Sequence, residues 1–398
     1  MTEWRKYYFK DIFQIIDGDR GVNYPKQSDL YSEGFCLFLN TGNVTSSGFN
    51  FEKNQFITKE KDKMLRKGKL RRGDIVFTTR GTVGNVALYD DSIPYENIRI
   101  NSGMVILRTN ESVANKEFIF QILKSNYKKK LISPFISGSV QPQLPIKDLK
   151  EISLPLPPLP EQKAIAEVLS SLDDKINLLT RQNKTLEDLA QVYFRKWFIE
   201  DASKEWEVVP ISEKFDVLLG GTPSRKIESY WTNGTIGWIN SGKINEFRII
   251  EASEYITEEA LNNSSAKLLP AGTTVLAITG ATLGKISMVL RSFAANQSVI
   301  GLVPKAELSN NFIFLWLKEN INALISMQTG GAQQHINSND VKSFDVIVPD
   351  TVALSLFRRK IDPLMLKISQ NCFQINTLNK LRDTLLPKLI SGEIRVKM

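Results

Sequence analysis

The sequence is poor in the residues that build metal centres and disulfide frameworks. Among 398 residues it holds two cysteines, Cys36 and Cys372, and one histidine, His335. Two cysteines so far apart in the chain exclude a CxxC zinc site and a disulfide scaffold. A single histidine argues against a His-based catalytic triad, and we expect His335 to be a polar loop residue. The sequence therefore predicts no metal site.

Long apolar segments are also missing. No run of about 18 apolar residues occurs, so the sequence predicts no transmembrane helix. The start, MTEWRKYYFK, lacks the apolar centre of a secretion signal. With 42% hydrophobic and 24% charged residues, the composition is that of an ordinary globular protein, and we expect it in the cytoplasm.

The signatures of common enzymes are absent as well. The sequence contains no GxSxG or HExxH motif and no Asn/Asp-Pro-Pro-aromatic tetrapeptide of an amino-methyltransferase. Residues 280–286 (GATLGKI) resemble a phosphate loop, but three residues rather than four separate the glycines, and Ile286 stands where Ser or Thr should bind magnesium. The counterpart, residues 81–84, is followed by Asn85. We expect two tight turns, or backbone-amide nests against a phosphate group, and no catalytic residue.

The chain contains an internal duplication. Residues 138–198 align without a gap on residues 330–390, at an offset of 192. Earlier matches keep the same order, so residues 3–198 and 205–390 are two copies of one unit. Matched pairs include Glu3/Glu205, Trp4/Trp206, Phe13/Phe215, Gly18/Gly220, Phe118/Phe312, Gln141/Gln333, Asp148/Asp340, Pro157/Pro349 and Ile176/Ile368.

Each copy begins with a globular part of mixed α/β character and ends with a long helix. Residues 74–79 and 274–279 are predicted strands followed by glycine turns, and residues 117–130 and 311–325 are predicted helices. A proline-rich stretch leads into the first long helix, since proline is tolerated only up to a helix's first turn. The sequence thus predicts an α+β protein with globular parts at 1–154 and 205–348 and helical segments at 155–204 and 349–398.

Both helical segments carry apolar residues at alternating spacings of four and three. This 3.5-residue repeat is typical of a coiled-coil face, although an ordinary amphipathic core helix is the alternative. We expect the second helix to be kinked or restarted at Pro363, and Pro387 to end or bend it near its close. The two seams are Ile165, Leu169, Leu172, Ile176, Leu179, Asn183, Leu186, Ala190, Tyr193 and Trp197, and Phe357, Ile361, Leu364, Ile368, Asn371, Ile375, Leu378, Arg382, Leu385 and Leu389.

Each seam contains one asparagine. In a duplicated protein with two-fold pseudosymmetry the helices would pair antiparallel, and facing positions would share a constant sum of residue numbers. The equivalent helix centres, 181 and 373, sum to 554, and so do Asn183 and Asn371. A buried asparagine pair can fix the register of two helices at some cost in stability. We therefore predict that Asn183 and Asn371 face each other.

The charge balance is basic, with 51 Lys and Arg against 43 Asp and Glu and a net charge of +8. Residues 53–72 concentrate nine basic and two acidic residues. Such a run can follow a phosphate backbone, and a solvated loop face is an equal alternative. In the second copy the cations are scattered among Tyr230, Trp231 and Trp238, which we expect to be core residues.

Two motifs give the sequence a family resemblance. Residues 154–166 (LPLPPLPEQKAIA) lead into the first long helix, and residues 381–394 (LRDTLLPKLISGEI) close the second. With the duplicated plan, they resemble the specificity subunit of type I restriction-modification systems over nearly the whole chain. The resemblance implies two target recognition domains that each read half of a split, asymmetric DNA site. It also implies two antiparallel helices that set the spacing between the half-sites.

The resemblance further implies partners and sites. Two methyltransferase subunits would dock on the helices and bring S-adenosylmethionine, and two restriction subunits would bring ATP and magnesium, so the chain itself would hold no cofactor and catalyse nothing. Alternatives are the specificity partner of a fused methyltransferase-nuclease, or a coiled-coil scaffold that never touches DNA. By residue chemistry, the candidate DNA contacts are Arg66, Lys67, Lys69, Arg71, Arg72, Arg80, Gln141, Arg225, Lys226, Lys243, Lys285 and Gln333.

Overall fold

The computed structural model describes residues 4–138, 141–305, 307–327 and 335–396. The chain folds into two compact units, one of residues 1–175 and 379–398 and one of residues 176–378. Within the described ranges, no helix is both long and apolar enough to cross a membrane.

Unit 1 contains one globular domain and parts of both long helices. Its strands are β1 Arg5–Tyr8, β2 Phe13–Asp17, β3 Cys36–Leu39, β4 Val44–Thr45, β5 Gly48–Phe49, β6 Phe56–Ile57, β7 Ile75–Thr78, β8 Val86–Leu88, β9 Ile98–Ile100, β10 Met104–Thr109 and β11 Ser153–Leu156. Its helices are α1 Phe9–Ile12, α2 Lys59–Met64, α3 Lys116–Lys124, α4 Tyr127–Ile132, α5 Ile146–Glu151 and the first part of α6 Leu159–Arg195.

The domain of unit 1 is built on two larger sheets and has two two-stranded sheets, β1-β11 and β4-β5. One has the antiparallel order β2-β10-β7-β8, and the other has the order β6-β3-β9, in which β3 and β9 run parallel. Side chains of β10 alternate between two apolar cores. Val105 and Leu107 pack with Phe118 of α3, whereas Met104 and Ile106 pack against the second sheet. Both faces of β10 are therefore buried.

Unit 2 repeats this plan. Its strands are β12 Glu207–Pro210, β13 Phe215–Leu219, β14 Ile236–Ile239, β15 Glu254–Ile256, β16 Leu268–Leu269, β17 Thr274–Ala277, β18 Ile286–Met288, β19 Phe293–Ala295, β20 Val299–Pro304 and β21 Asp345–Val348. Its helices are α7 Ile211–Lys214, α8 Glu258–Asn262, α9 Asn310–Ser326, α10 Ser338–Ser343 and most of α11 Thr351–Ile390. The sheets β13-β20-β17-β18 and β15-β14-β19-β16 match those of unit 1, again with one parallel pair, β14 and β19.

Helices α6 and α11 run antiparallel in each unit. In unit 2, Asn183 contacts Asn371, while Phe194, further along α6, contacts the earlier residue Phe357 at a ring distance of 6.1 Å. In unit 1, Arg382 of α11 donates to Asp173 of α6 over 2.9 Å. The α+β class, the duplication and the antiparallel helices are thus confirmed.

The second helix is not restarted at Pro363. Helix α11 runs without a break through Pro363 and continues three residues beyond Pro387 to Ile390. Proline removes one backbone N–H donor, so the helix loses single hydrogen bonds there. Ile361 and Met365, on either side of Pro363, are buried in the core of unit 2 and hold the helix on course.

Two further details differ from the sequence-based expectation. The buried residues near the end of α6 are Phe194 and Phe198 rather than the seam residues Tyr193 and Trp197, because α6 there packs into a domain core as well as against α11. The helix predicted at 117–130 is divided into α3 and α4. Ser125 causes the break, since its hydroxyl donates to the Ile122 carbonyl and accepts from the backbone N–H of Tyr127.

Candidate DNA interface

In unit 1, the strands β2, β3, β7 and β9 all end at one edge of the domain. Asp17 at the end of β2 pairs with Val105, Thr78 at the end of β7 pairs with Met104, and Leu39 and Ile100 pair in the parallel strands. The loops that follow these strands therefore lie side by side. We call them the loop edge of unit 1, defined by residues 17–21, 40–43, 79–84 and 101–103.

Backbone contacts hold these loops together. The backbone amides of Thr79 and Arg80 donate to the Gly103 carbonyl over 2.9 and 3.2 Å, and the Asn101 amide donates to the Leu39 carbonyl over 3.0 Å. At Gly18, an added Cβ would lie 2.3 Å from the carbonyl oxygen of Asn101. Only glycine allows this approach, so the loops form one packed surface.

The loop edge of unit 2 is built in the same way from residues 220–225, 240–245, 278–284 and 296–298. A Cβ on Gly220 would lie 2.2 Å from the carbonyl oxygen of Asn296, as at Gly18 in unit 1. Asn240 accepts from the backbone N–H of Gly242 over 2.9 Å, and Asn40 accepts from Gly42 over 2.8 Å. Each unit therefore presents one edge of polar loops on a rigid sheet framework.

The loops that resemble phosphate loops are hairpin turns within these edges. Residues 280–284 connect β17 to β18, and residues 81–84 connect β7 to β8. Gly280 and Gly81 have φ values of +68° and +69°, a region that favours glycine. Strand β18, rather than a helix, follows the second loop, so it lacks the helix N-terminus of a phosphate loop. The expected tight turns are confirmed.

Part of the predicted contact set in unit 1 lies at the loop edge. The Arg66 guanidinium is exposed, and its backbone N–H donates to the Asp19 carboxylate over 2.7 Å. Burial opposes ionisation of Asp19, but hydrogen bonds from Gly21 and Arg66 hold its pKa below the usual value. Lys67 follows Arg66, and Arg80 is also exposed. Gln141 is exposed, and two residues later Gln143 forms a β-bridge with Arg80.

The remaining cations of the basic run have other environments. Lys69 binds Asp62 over 2.7 Å, and Arg72 lies over the ring of Tyr89 at 4.1 Å and donates to the Ile93 carbonyl. Burial opposes ionisation of Asp62, but Lys69 and Arg99 hold its pKa below the usual value. The backbone N–H of Arg71 donates to Asp74 just before β7, at the end of that strand opposite the loop edge. The run is therefore divided, because Arg66 lies at the loop edge and Arg71 at the start of β7.

The candidate cations of unit 2 differ in whether their side chains are already paired with residues of the same domain. Arg225 makes two hydrogen bonds to Glu254, over 2.6 and 2.7 Å, and lies 3.5 Å from the ring centroid of Trp231. Lys243 binds Glu246 over 2.7 Å. Lys226 and Lys285 are exposed, and their side chains make no ion pair with any residue that the structure describes. Gln333 lies outside the described residues.

Two of the three aromatics beside these cations are core residues, as expected, and Trp231 is half-buried against the same cluster. Tyr230 and Trp238 are buried, and the ring of Trp231 meets that of Trp238 edge to face at 5.3 Å. His335 is exposed. In the described ranges, no group of three His, Cys, Asp or Glu residues could hold a metal ion.

Sequence reasoning missed the asparagines of the loop edges. Asn40 and Asn240 each cap a 3-10 turn that follows a buried strand, and Asn101 and Asn296 each accept from an amide two residues later. The signal was present, because Asn-Thr-Gly at 40–42 matches Asn-Ser-Gly at 240–242 in the second copy. An Asn-x-Gly turn directly after an apolar run marks the end of a strand.

Comparison with known proteins identifies the family. The model of the type I restriction modification DNA specificity domain matches residues 1–188 and 203–353. The specificity subunit of the type I restriction enzyme MjaIX of Methanocaldococcus jannaschii is 28% identical over 348 residues, which is 82% of this chain and 78% of that protein. The HindI specificity subunit of Haemophilus influenzae is 23% identical, with 99% of this chain and 100% of that protein covered.

A solved structure shares the fold. The type I restriction-modification S subunit from M. genitalium superposes with a TM-score of 0.61 at 19% identity, over 99% of this chain and 96% of that one. Neither a fused methyltransferase-nuclease partner nor a DNA-independent scaffold finds support in these comparisons. The duplicated α+β domains, the antiparallel helices and a family model that covers most of the sequence lead to one conclusion: the chain belongs to the family of DNA specificity subunits of type I restriction-modification systems.

Proposed function

We propose that each recognition domain reads one half of a split, asymmetric DNA site through its loop edge and that the chain catalyses nothing itself. The observation that carries the proposal is that both units have a loop edge of the same construction, with exposed cations beside each. Arginine and lysine can pair with phosphates or guanine, and glutamine and asparagine with adenine. Loops on a rigid sheet suit this task, since a fixed framework holds variable contact residues in place.

Within the predicted set, the proposal gives the leading role to exposed cations. These are Arg66, Lys67 and Arg80 in unit 1, and Lys226 and Lys285 in unit 2. Arg66 also makes a long ion pair of 3.9 Å with Asp19. Lys69, Arg72, Arg225 and Lys243 already hold partners of their own domain, so a DNA contact would have to replace or share those bonds. Arg71, Gln141 and Gln333 remain candidates.

The proposal assigns the spacing of the half-sites to the long helices. The 37 residues of α6 extend about 56 Å at 1.5 Å per residue, compared with about 34–36 Å for one turn of DNA. Asn371 Nδ2 donates to Asn183 Oδ1 over 2.9 Å, and the two residues are 0% and 2% exposed. A slipped register would place each amide against apolar residues, so we assign to this pair the register of the helices.

The proposal includes the assembly that the family resemblance implies. Two methyltransferase subunits with S-adenosylmethionine would dock on the helices, and two restriction subunits would supply ATP-dependent cleavage with magnesium. The complex would act on DNA in the cytoplasm. The chain's own part is to bind DNA and to hold the two recognition domains at a fixed distance.

Methylation mapping tests this function. The chain is co-expressed with the methyltransferase of its own system in a host without DNA methylation, and the DNA is sequenced for N6-methyladenine. We expect a single split, asymmetric motif that disappears when the chain is omitted. Methylation that persists without the chain would contradict the proposal, as would a soluble complex that neither methylates nor binds DNA selectively.

A further inference from the structure

The second recognition domain holds a buried arginine against helix α6. The side chain of Arg248 is 2% exposed, and its Nη2 lies 2.7 Å from Oε2 of Glu187 on α6. Its guanidinium lies 4.4 Å from the ring centroid of Phe314, and its Nη1 donates to the Phe247 carbonyl over 2.7 Å. Lys318 on α9 binds the other oxygen of Glu187. Arg248 Nη2 and Glu187 Oε2 lack hydrogen-bond geometry despite their short distance, so the contact is a buried ion pair. Removal of one partner alone would leave the other charge buried without it.

Arg248 lies close in the chain to the loop edge of unit 2. The 3-10 turn Ser241–Asn245 belongs to that edge, and Arg248 follows its last residue by three positions. The hydroxyl of Ser287 on β18 donates to the Glu246 carbonyl over 2.8 Å and fixes the segment between them. Ile249, directly after Arg248, is fully buried. The short segment between Asn245 and Ile249 is therefore held at both ends, so a displacement of Arg248 would displace the edge loop with it.

Unit 1 fastens its domain to the helices differently. The repeat aligns Lys318 with Lys124, which donates to Asp173 of α6 over 3.0 Å. Around Lys124, unit 1 has a polar cavity of about 150 Å³, which Ser46, Arg382 and Asp383 also line. In the described part of unit 1, no arginine of the globular domain makes an ion pair with α6. The buried Arg248–Glu187 contact is therefore a feature of the second domain.

We propose that Arg248 is the positioning residue that fixes the loop edge of the second domain on α6 and so determines how strictly the subunit measures the distance between half-sites. This inference rests on the proposed function. Arg248 is buried beneath the surface and does not read bases. Its replacement should change the tolerated spacing and leave both half-site sequences as they are.

The test uses the full chain in complex with its methyltransferase. Binding is measured for DNA duplexes that carry the mapped site with its natural spacer and with a spacer one base pair longer or shorter. The first variant, R248M/E187M, replaces the ion pair by apolar side chains of similar volume, an exchange that buried ion pairs often tolerate in stability. The second, R248K, keeps the charge but loses the planar guanidinium. The matched control, K226M, removes an exposed cation from the same domain.

We expect R248M/E187M to lower the preference for the natural spacer about tenfold, or about 1.4 kcal/mol. R248K, made in the wild-type chain, should retain more of the preference for the natural spacer than R248M/E187M does. K226M should weaken binding to all three duplexes by the same factor. An unchanged spacer preference in R248M/E187M would overturn the inference, as would a change in the half-site sequences. A wild-type complex without a split methylation motif would instead refute the proposed function.

Discussion

Asp173 of α6 and Arg382 of α11 form a hydrogen-bonded ion pair of 2.9 Å inside unit 1. Gln121 and Lys124, both on α3, donate to the other oxygen of Asp173 over 2.8 and 3.0 Å. One carboxylate thus joins the globular domain to both long helices. Burial opposes its ionisation, but Lys124, Gln121 and Arg382 hold the pKa of Asp173 below its usual value.

This ion pair predicts a pH-dependent stability. Because the pKa of Asp173 is lowered by folding, the stabilisation is complete above the unfolded value of 3.8 and is lost as the pH falls below it. We expect D173N to lower the free energy of unfolding by about 2 kcal/mol at pH 7, with a much smaller difference at pH 3. Urea denaturation at both pH values measures this. The control, D383N, removes a carboxylate that is 60% exposed and should have little effect; equal losses at both pH values in D173N would contradict the assignment.

The buried asparagine pair predicts a coupling between two positions. N183L alone removes the acceptor of the 2.9 Å bond and leaves the Asn371 amide buried with fewer partners. We expect each single leucine variant to lose about 1–2 kcal/mol of stability and the double variant, N183L/N371L, to recover most of it. The thermal unfolding midpoint checks this. Strictly additive losses would show that the two amides do not act as a pair.

The same double variant tests the assigned role in register. With leucine at both positions the seam loses its one polar layer, and other registers become less costly. Methylation mapping of the N183L/N371L complex should then show motifs with more than one spacer length. A single, unchanged spacer length would show that packing of the helices in the domain cores, and not the asparagine pair, fixes the helix register.

Arg72 and Arg80 lie at opposite ends of β7, and we predict different effects for their replacement. R80M should reduce the slope of log affinity against log salt concentration by about one unit, because each phosphate contact contributes about 0.9. R72M should leave that slope unchanged and destabilise unit 1, because Arg72 holds carbonyls of its own domain. Fluorescence anisotropy on the mapped duplex at several salt concentrations separates the two. Equal salt slopes for R80M and wild type would show that Arg80 makes no phosphate contact.

The two cysteines are predicted to resist thiol reagents. Both are buried, and burial raises the pKa of Cys36 to about 12 and that of Cys372 to about 11. Since the thiolate is the reactive form, native protein at pH 8 should react with a disulfide reagent far more slowly than protein in denaturant. Absorbance at the reagent's product wavelength follows the reaction. Rapid labelling of native C36S, in which only Cys372 remains, would show that the helix pair opens around Asn183.

Much of the fold could be predicted because it depends on repetition and periodicity. The offset of 192 residues identified two copies of one unit, and the sum of 554 identified the facing pair Asn183 and Asn371. The prediction that failed concerned the local effect of one residue on its helix. Pro363 was expected to break a helix, but long-range burial of Ile361 and Met365 outweighs one missing hydrogen bond.

The candidate site was harder to predict, because charge in sequence does not tell where a side chain points. Arg71 and Arg80 are close in sequence, yet they lie at opposite ends of β7. Arg248 reads as one more scattered cation until its partner Glu187, distant in sequence, is known. The loop edges arise from strand pairing, which a single sequence specifies only weakly.

The division of the chain has a consequence for its synthesis. The apolar core of unit 1 includes Leu386, Leu389 and Ile390 together with Ile12 and Phe77, so its parts are made at widely separated times. On the ribosome, the first recognition domain must wait with an incomplete core until the end of α11 has emerged, whereas unit 2 can close earlier. The domain that is translated first therefore completes its apolar core last.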